Sequence, residues 1–305
     1  MKNPQNEPVL ISLITGTAGR TDELSRLGLS LTQQTTKKFE WIVVDQNSDA
    51  RINAILDTFR AKIEIKHLRC EPNLSNALNL GVQTARAKIV GFPDDDGWLD
   101  PDALKSIIEL FLNNPQWAGI ACKVVDAQGN QSISSWHMNA GPCNRFNAWP
   151  RIASTGLYFR RDIFLNLGGF DTTLGLGINI PIAGHDLDLV LRAIKKKLKI
   201  QYTTEPVARH PKMHGINTKI NTEKVYQYAV GAGRLMREHR MPIWWVASSI
   251  ALPLFRSCRE RILGNSEKAR TDWLNTLGRF RGWLGAGGGR RTILGSSQEP
   301  TLDQR

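Results

Sequence analysis

Residues 9–92 alternate between short apolar runs and segments with helical spacing, and few folds accept that pattern. The runs are VLISLIT (9–15), FEWIVVD (39–45), IEIKHL (63–68) and KIVGF (88–92). Each is short and rich in β-branched residues, as expected of a strand buried on both faces. Between them, residues 21–36, 51–60 and 74–86 read as helices, the first begun by Thr21 with Glu23 in its first turn. Strand–helix alternation requires a parallel sheet with helices on both faces. The expected fold class is therefore α/β, with a Rossmann-like, mostly parallel sheet flanked by helices. In such sheets ligands bind outside the carboxyl ends of the strands. Asp45 closes the second run and Asp94, Asp95 and Asp96 follow the fourth, so both groups should converge on one site.

Three adjacent carboxylates repel one another, and a divalent cation is one way to relieve that. Hard oxygen ligands suit Mg²⁺ or Mn²⁺, ions that commonly hold substrate phosphates as well. The competing reading is a solvated acidic turn capping the helix that Pro101 opens. Two facts favour the metal: the tract follows a buried strand, and a second strand-end aspartate precedes it.

Past residue 115 the pattern loosens. WAGIACKVVD (117–126) and TGLYFRR (155–161) read as strands, RDIFLNLGGF (161–170) and HDLDLVLRAIKKKLKI (185–200) as helices. LGLGINIPIAG (174–184) is glycine-rich and is expected to be mobile, either a surface loop or a flap over bound substrate. Trp136 and Trp149 fit a core role or stacking on sugar rings.

The composition is that of a globular chain, 41% hydrophobic and 22% charged. The four cysteines are scattered and form no CxxC pair, which implies a reduced compartment and no structural zinc. MKNPQNEPVL lacks a signal-peptide layout, and no run of apolar residues is long enough to span a bilayer. A cytoplasmic location is expected. The net charge of +12 is uneven: residues 1–233 hold 27 Lys/Arg and 22 Asp/Glu, residues 234–305 hold 13 and 6. A basic end seeks a polyanion. MPIWWVASSIALPLF (241–255), followed by Arg/Lys interleaved with Trp273 and Trp283, has the composition of an interfacial helix on an anionic bilayer. A helical appendage packed on the main domain fits equally. Nucleic acid is disfavoured, because no nucleic-acid module is recognisable. GTAGR lacks the lysine-bearing glycine loop expected of a nucleotidyltransferase.

VLISLITGTAGRTDELSRLGLSLTQQ, FEWIVVDQNSD, LSNALNLGVQTARAKIVGFPDDD and HDLDLVLRA together resemble the inverting family 2 glycosyltransferases of GT-A fold. FPDDDGW and GGFDTTLGLG are similar to bacterial exopolysaccharide-type members. The resemblance covers roughly residues 8–212. It implies a nucleotide-binding half (about 8–115) and an acceptor half (about 116–220). A helical, basic extension over 221–285 and a disordered tail over 286–305 would complete the chain.

The resemblance also implies roles. The loop near Thr15 and Arg20, with Asp45, would hold base and ribose, and Arg69, just past the third strand, fits a place near the nucleotide or a surface role equally. Asp94 would contact ribose or metal, and Asp96 the metal bridging the diphosphate. His210, with His214 as a weaker substitute, would complete an Asp-plus-His site for Mn²⁺ or Mg²⁺. Asp186 matches the general base, the aspartate of a Glu-Asp pair. Here the pair reads His185-Asp186, a departure from the family pattern. Helix capping is the bland role for Asp186, and Asp188 fits a first-turn helix aspartate. The implied activity is sugar transfer from a UDP- or GDP-linked donor to a glycan or lipid-linked acceptor in surface polysaccharide synthesis. The protein would sit in the cytoplasm or at the inner face of the membrane. The alternative is a catalytically inactive nucleotide-sugar-binding homologue that has lost the Glu of the pair.

Overall fold

The expected alternation is present as four parallel strands with a helix in each crossover. The computed structural model describes residues 8–133, 139–177, 180–212 and 219–285. In chain order, β1 (Ile11–Thr17), α1 (Asp22–Thr32), β2 (Phe39–Asp45), α2 (Asn53–Arg60), β3 (Glu64–Arg69), α3 (Leu74–Thr84) and β4 (Ile89–Gly91) come first. β5 (Trp98–Leu99), α4 (Ala103–Asn113), β6 (Trp117–Val125), β7 (Gly141–Pro142), β8 (Leu157–Arg160) and α5 (Arg161–Asn166) follow. Next come β9 (Gly175–Gly177), β10 (Ile180–Ile182), α6 (His185–Lys195) and β11 (Lys199–Arg209). Three long helices close the described chain: α7 (Lys219–Glu238), α8 (Ile243–Ile262) and α9 (Ser266–Leu284).

The main sheet has nine strands in the order β3-β2-β1-β4-β8-β6-β11-β5, with β7 also on β11. β8, β5 and β7 run against the other six, so the sheet is mostly parallel. β1 lies between β2 and β4, with Thr17 opposite Asp45 and Leu13 opposite Gly91. That register places the chain ends after β1, β2 and β4 side by side.

Strand periodicity explains the two apolar layers. In β2, Phe39, Trp41 and Val43 face one core while Ile42 and Val44 face the other. The first core is closed by Leu24 and Leu27 of α1, Leu56 of α2 and Leu104 of α4. The second is closed by Leu78 of α3, Phe164 of α5 and Leu189 of α6. A polar network interrupts this pattern at the strand starts. Glu40, with no exposed surface, accepts from the Ser12 hydroxyl (2.6 Å) and the Arg86 amide (2.8 Å) and pairs with Lys66 (3.0 Å).

Several expectations need correction. LGLGINIPIAG, read as a surface loop or a flap, contains the antiparallel pair β9–β10. The helix read over 185–200 stops at Lys195, and Lys199 and Ile200 begin β11. Thr21 stands at the N-cap of α1 but makes no side-chain capping bond. The aspartate tract does not cap α4, whose N-cap is Asp102. The short strands β5 and β7 carry no legible sequence pattern. Trp136, His137, His214 and the tail over 286–305 lie outside the described residues.

The C-terminal helices are docked on the segment ahead of β9. Buried Arg234 of α7 donates to the Thr173 hydroxyl (2.7 Å) and carbonyl (3.1 Å). Helices α7 and α9 cross backbone on backbone: a Cβ at Gly282 would lie 2.0 Å from the Val230 carbonyl oxygen. Among the described residues no helix is long and apolar enough to cross a membrane.

Candidate active site

The tract Asp94-Asp95-Asp96 fills the turn between β4 and β5, and its three carboxylates point to three different sets of partners. Asp94 accepts from the Ser154 hydroxyl (3.0 Å). Asp95 is buried, takes the Thr17 hydroxyl (2.8 Å) and pairs with Arg20. Asp96 pairs with the other Arg20 nitrogen (2.9 Å) and with His210 Nε2 (3.0 Å). Arg20 therefore clamps two of the three charges, and both raise its own pKa against the opposing effect of burial.

One ligand atom each from Asp94, Asp96 and His210 lie within 4.8 Å of one another. β11 brings His210 there: it runs parallel to β6 and ends at Arg209, which bonds Asp100 beyond the tract (2.5 Å). His210 Nδ1 faces the Pro211 carbonyl (2.7 Å) and Nε2 faces Asp96 Oδ1 (3.0 Å), so both ring nitrogens sit against oxygen acceptors, and a metal bound there would take the place of the Nε2 proton. Burial pushes the Asp94 pKa up to about 7, and the neighbouring Asp96 charge adds to it. Burial also acts on Asp96 and His210, but their mutual bond outweighs it, lowering the Asp96 pKa and raising that of His210. Two carboxylates and an imidazole, partly buried and gathered at one point, form a donor set that fits Mn²⁺ or Mg²⁺.

Thr15 and Asp45 hold the frame of the site. Thr15 is fully buried, and its hydroxyl accepts from Trp41 Nε1 (3.0 Å) and donates to the Pro93 carbonyl (3.1 Å). It fixes the start of the aspartate turn. Asp45 has no exposed surface. Its carboxylate takes the Asn47 amide N–H (2.9 Å) and side chain (2.7 Å), His67 (3.2 Å) and, more loosely, Arg69 (3.5 Å). Burial would raise the Asp45 pKa, but these bonds, His67 first, hold it below the usual range. Asn47 in turn accepts from the Gly19 N–H (2.7 Å), linking the loops after β1 and β2. Half-exposed Arg69 also donates to the Asp49 carbonyl (2.5 Å), at the far side of the same edge.

Asp186 lies in the first turn of α6, partly exposed, and its Oδ1 accepts from the Leu187 N–H (2.8 Å). Gly184 ahead of it has φ +115°, and a Cβ there would meet Leu235 Cδ1 at 2.9 Å. Only glycine fits that entry into the helix comfortably. His185 turns the other way. It is 6% exposed, packs edge-on against Phe170 (centroids 4.9 Å), and neither ring nitrogen has a hydrogen-bond partner among the described residues. Asp188 is buried and bound to Arg192 (2.8 Å) and His239 (2.9 Å). Its place is structural, as a first-turn aspartate tying α6 to the end of α7.

Sequence reasoning missed Tyr228. On α7, Gly231 lies against the Ala183 backbone, one turn from Tyr228 and three residues before Asp186. Tyr228 is 44% exposed, yet burial raises its pKa, and the charges of Asp186, Asp94 and Asp96 reach its hydroxyl and raise it further. No local sequence signal marks Tyr228, because the contact depends on how α7 docks.

Comparisons with known proteins agree with this fold. A relative from Haemophilus influenzae, "Uncharacterized glycosyltransferase", is 24% identical over 75% of this chain and 76% of its own length. The mannosyltransferase PcManGT from Pyrobaculum calidifontis, solved in complex with GDP-Man and Mn²⁺, superposes with a TM-score of 0.63 at 14% identity. The overlay covers 93% of this chain and 89% of that one. Residues 1–349 of S. aureus TarS, in complex with UDP-GlcNAc, give 0.56 at 15%, covering 90% and 92%. The family model described as glycosyl transferase family 2 matches residues 12–193. A mostly parallel α/β sheet with a carboxylate–histidine cluster at its strand ends, matched by that model over more than half its length, belongs to glycosyltransferase family 2, and the protein is a glycosyltransferase.

Proposed function

We propose that this glycosyltransferase is metal-dependent and inverting, taking a sugar from a UDP- or GDP-linked donor to a hydroxyl of a glycan or lipid-linked acceptor in surface polysaccharide synthesis. The observation that carries the reading is the meeting of Asp94, Asp96 and His210 at the carboxyl edge of the sheet. The comparison structures named above hold UDP-GlcNAc and GDP-Man, which supports a nucleotide-sugar donor.

In this reading Asp94, Asp96 and His210 hold Mn²⁺ or Mg²⁺. The ion supplies charge stabilisation for the departing diphosphate. Asp95 and Arg20 hold the turn rigid, so the two ligating carboxylates stay aimed inward. Asp45 acts through Asn47 and Gly19 to shape the nucleotide end, with Arg69 at its rim. Asp186 accepts the proton of the acceptor hydroxyl as that oxygen attacks the anomeric carbon. The bond from that carbon to the diphosphate breaks on the opposite side, and configuration inverts. Tyr228 presents a ring face to the acceptor sugar.

Calorimetric titration of UDP and GDP, with and without Mn²⁺, tests the nucleotide half. One nucleotide should bind in a metal-dependent manner, and Asp96→Ala should remove that binding. Binding that is indifferent to Mn²⁺ and to Asp96→Ala would overturn the metal assignment.

A further inference from the structure

Helix α8 is apolar on two faces and buries only one. Val246, Pro253 and Ser257 turn inward, where Ser257 donates to the Ala269 carbonyl of α9 (2.7 Å) and Arg279 of α9 reaches the Ser249 carbonyl (2.7 Å). The opposite face carries Trp244, Leu252, Phe255 and Ile262, which are 63%, 59%, 69% and 86% exposed. Their spacing keeps them on one stripe, about 27 Å long at the helical rise per residue. Phe146, from the loop before β8, stacks on Trp244 (centroids 5.7 Å) and extends the stripe. An apolar patch of this extent marks a docking surface.

The surrounding charge says what docks. Over residues 243–285 the exposed cations are Arg259, Arg261, Lys268, Arg270 and Arg281, against one exposed acid, Glu267. An apolar stripe with tryptophan at one end and arginines at the other matches a helix lying in the plane of an anionic bilayer. Residues 286–305 offer only Ile293, Leu294 and Leu302 as large apolar side chains, too few to cover the stripe.

We infer that the outer face of α8, with the basic side chains of its last turn and of α9, seats the protein on an anionic lipid surface. The apolar side chains enter the acyl boundary and the guanidinium groups meet lipid phosphates. The inference is independent of the nucleotide site.

The test is co-sedimentation of the full chain with vesicles of phosphatidylcholine, alone or mixed with phosphatidylglycerol. Binding should need phosphatidylglycerol and weaken with salt. Trp244→Ser with Phe255→Ser, and separately Arg259→Gln with Arg261→Gln, should each weaken binding by about tenfold or more. These side chains are exposed, so circular dichroism and nucleotide titration should match wild type. Absence of binding to the mixed vesicles would overturn the inference. So would an oligomer in sedimentation that the Trp244/Phe255 variant dissolves while vesicle binding is unchanged, since a second copy would then cover the stripe.

Discussion

Carboxylates in the site differ in their partners, and the partners decide their chemistry. Asp95 is committed to Thr17 and Arg20, which leaves Asp94 and Asp96 as the pair that converges with His210. His185 shows the same logic inverted. It stands where the family pattern has glutamate, but it is buried against Phe170 without a hydrogen-bond partner among the described residues. Burial lowers its pKa, although Asp186 and Asp188 oppose this. The unfolded chain takes that proton below its ordinary value of about 6.5, whereas the folded chain resists it. Stability from this residue is therefore complete above that pH and is lost as pH falls toward the lowered folded value. His185→Phe should remove that component. Urea midpoints compared between pH 7 and 5 should show a smaller fall in the variant, and equal falls would place the titration elsewhere. The order Asp-x-Asp was legible in the sequence because alternate residues of a turn can face one point. The partner of Asp95, and Tyr228 entirely, were not legible, since both depend on contacts between distant segments.

At the scale of elements, buried polar ties set the register that presents the site. Glu40 joins Ser12 of β1, Lys66 of β3 and Arg86 beyond α3, and it fixes how β1 sits beside β2. Burial would raise the Glu40 pKa, but these bonds lower it, so the group is held as an anion. Glu40→Gln keeps the shape and removes the charge, and should cost about 2 kcal/mol in urea unfolding, the worth of hydrogen bonds to a charged group. An unchanged midpoint would mean that the network is decorative. The parallel half was legible because VLISLIT, FEWIVVD and KIVGF are apolar on consecutive positions. β9 and β10 were not, because LGLGINIPIAG carries glycine where strands usually carry bulk, and its pairing is with itself rather than with the sheet. The helix over 185–200 was read too long, since Lys195, Lys196 and Lys197 continue a helical charge pattern after the backbone has turned.

Across the whole molecule, two bodies of structure meet at the proposed catalytic edge. The sheet supplies the cluster of Asp94, Asp96 and His210, and α6 and α7 carry Asp186 and Tyr228. Under the proposed function donor binding belongs to the first and acceptor activation to the second, so the two should separate under mutation. The most direct measurement is nucleoside diphosphate release from a panel of UDP- and GDP-sugars with Mn²⁺, in wild type and Asp186→Asn, alongside nucleotide titration of both. Wild type should release one nucleotide in a metal-dependent way. The variant should bind that nucleotide with unchanged affinity and release it at least about 100-fold more slowly, as expected when a general base is lost. Release at the wild-type rate by Asp186→Asn, or nucleotide binding by wild type without any release, would contradict the assignment of Asp186 as the base of an active transferase.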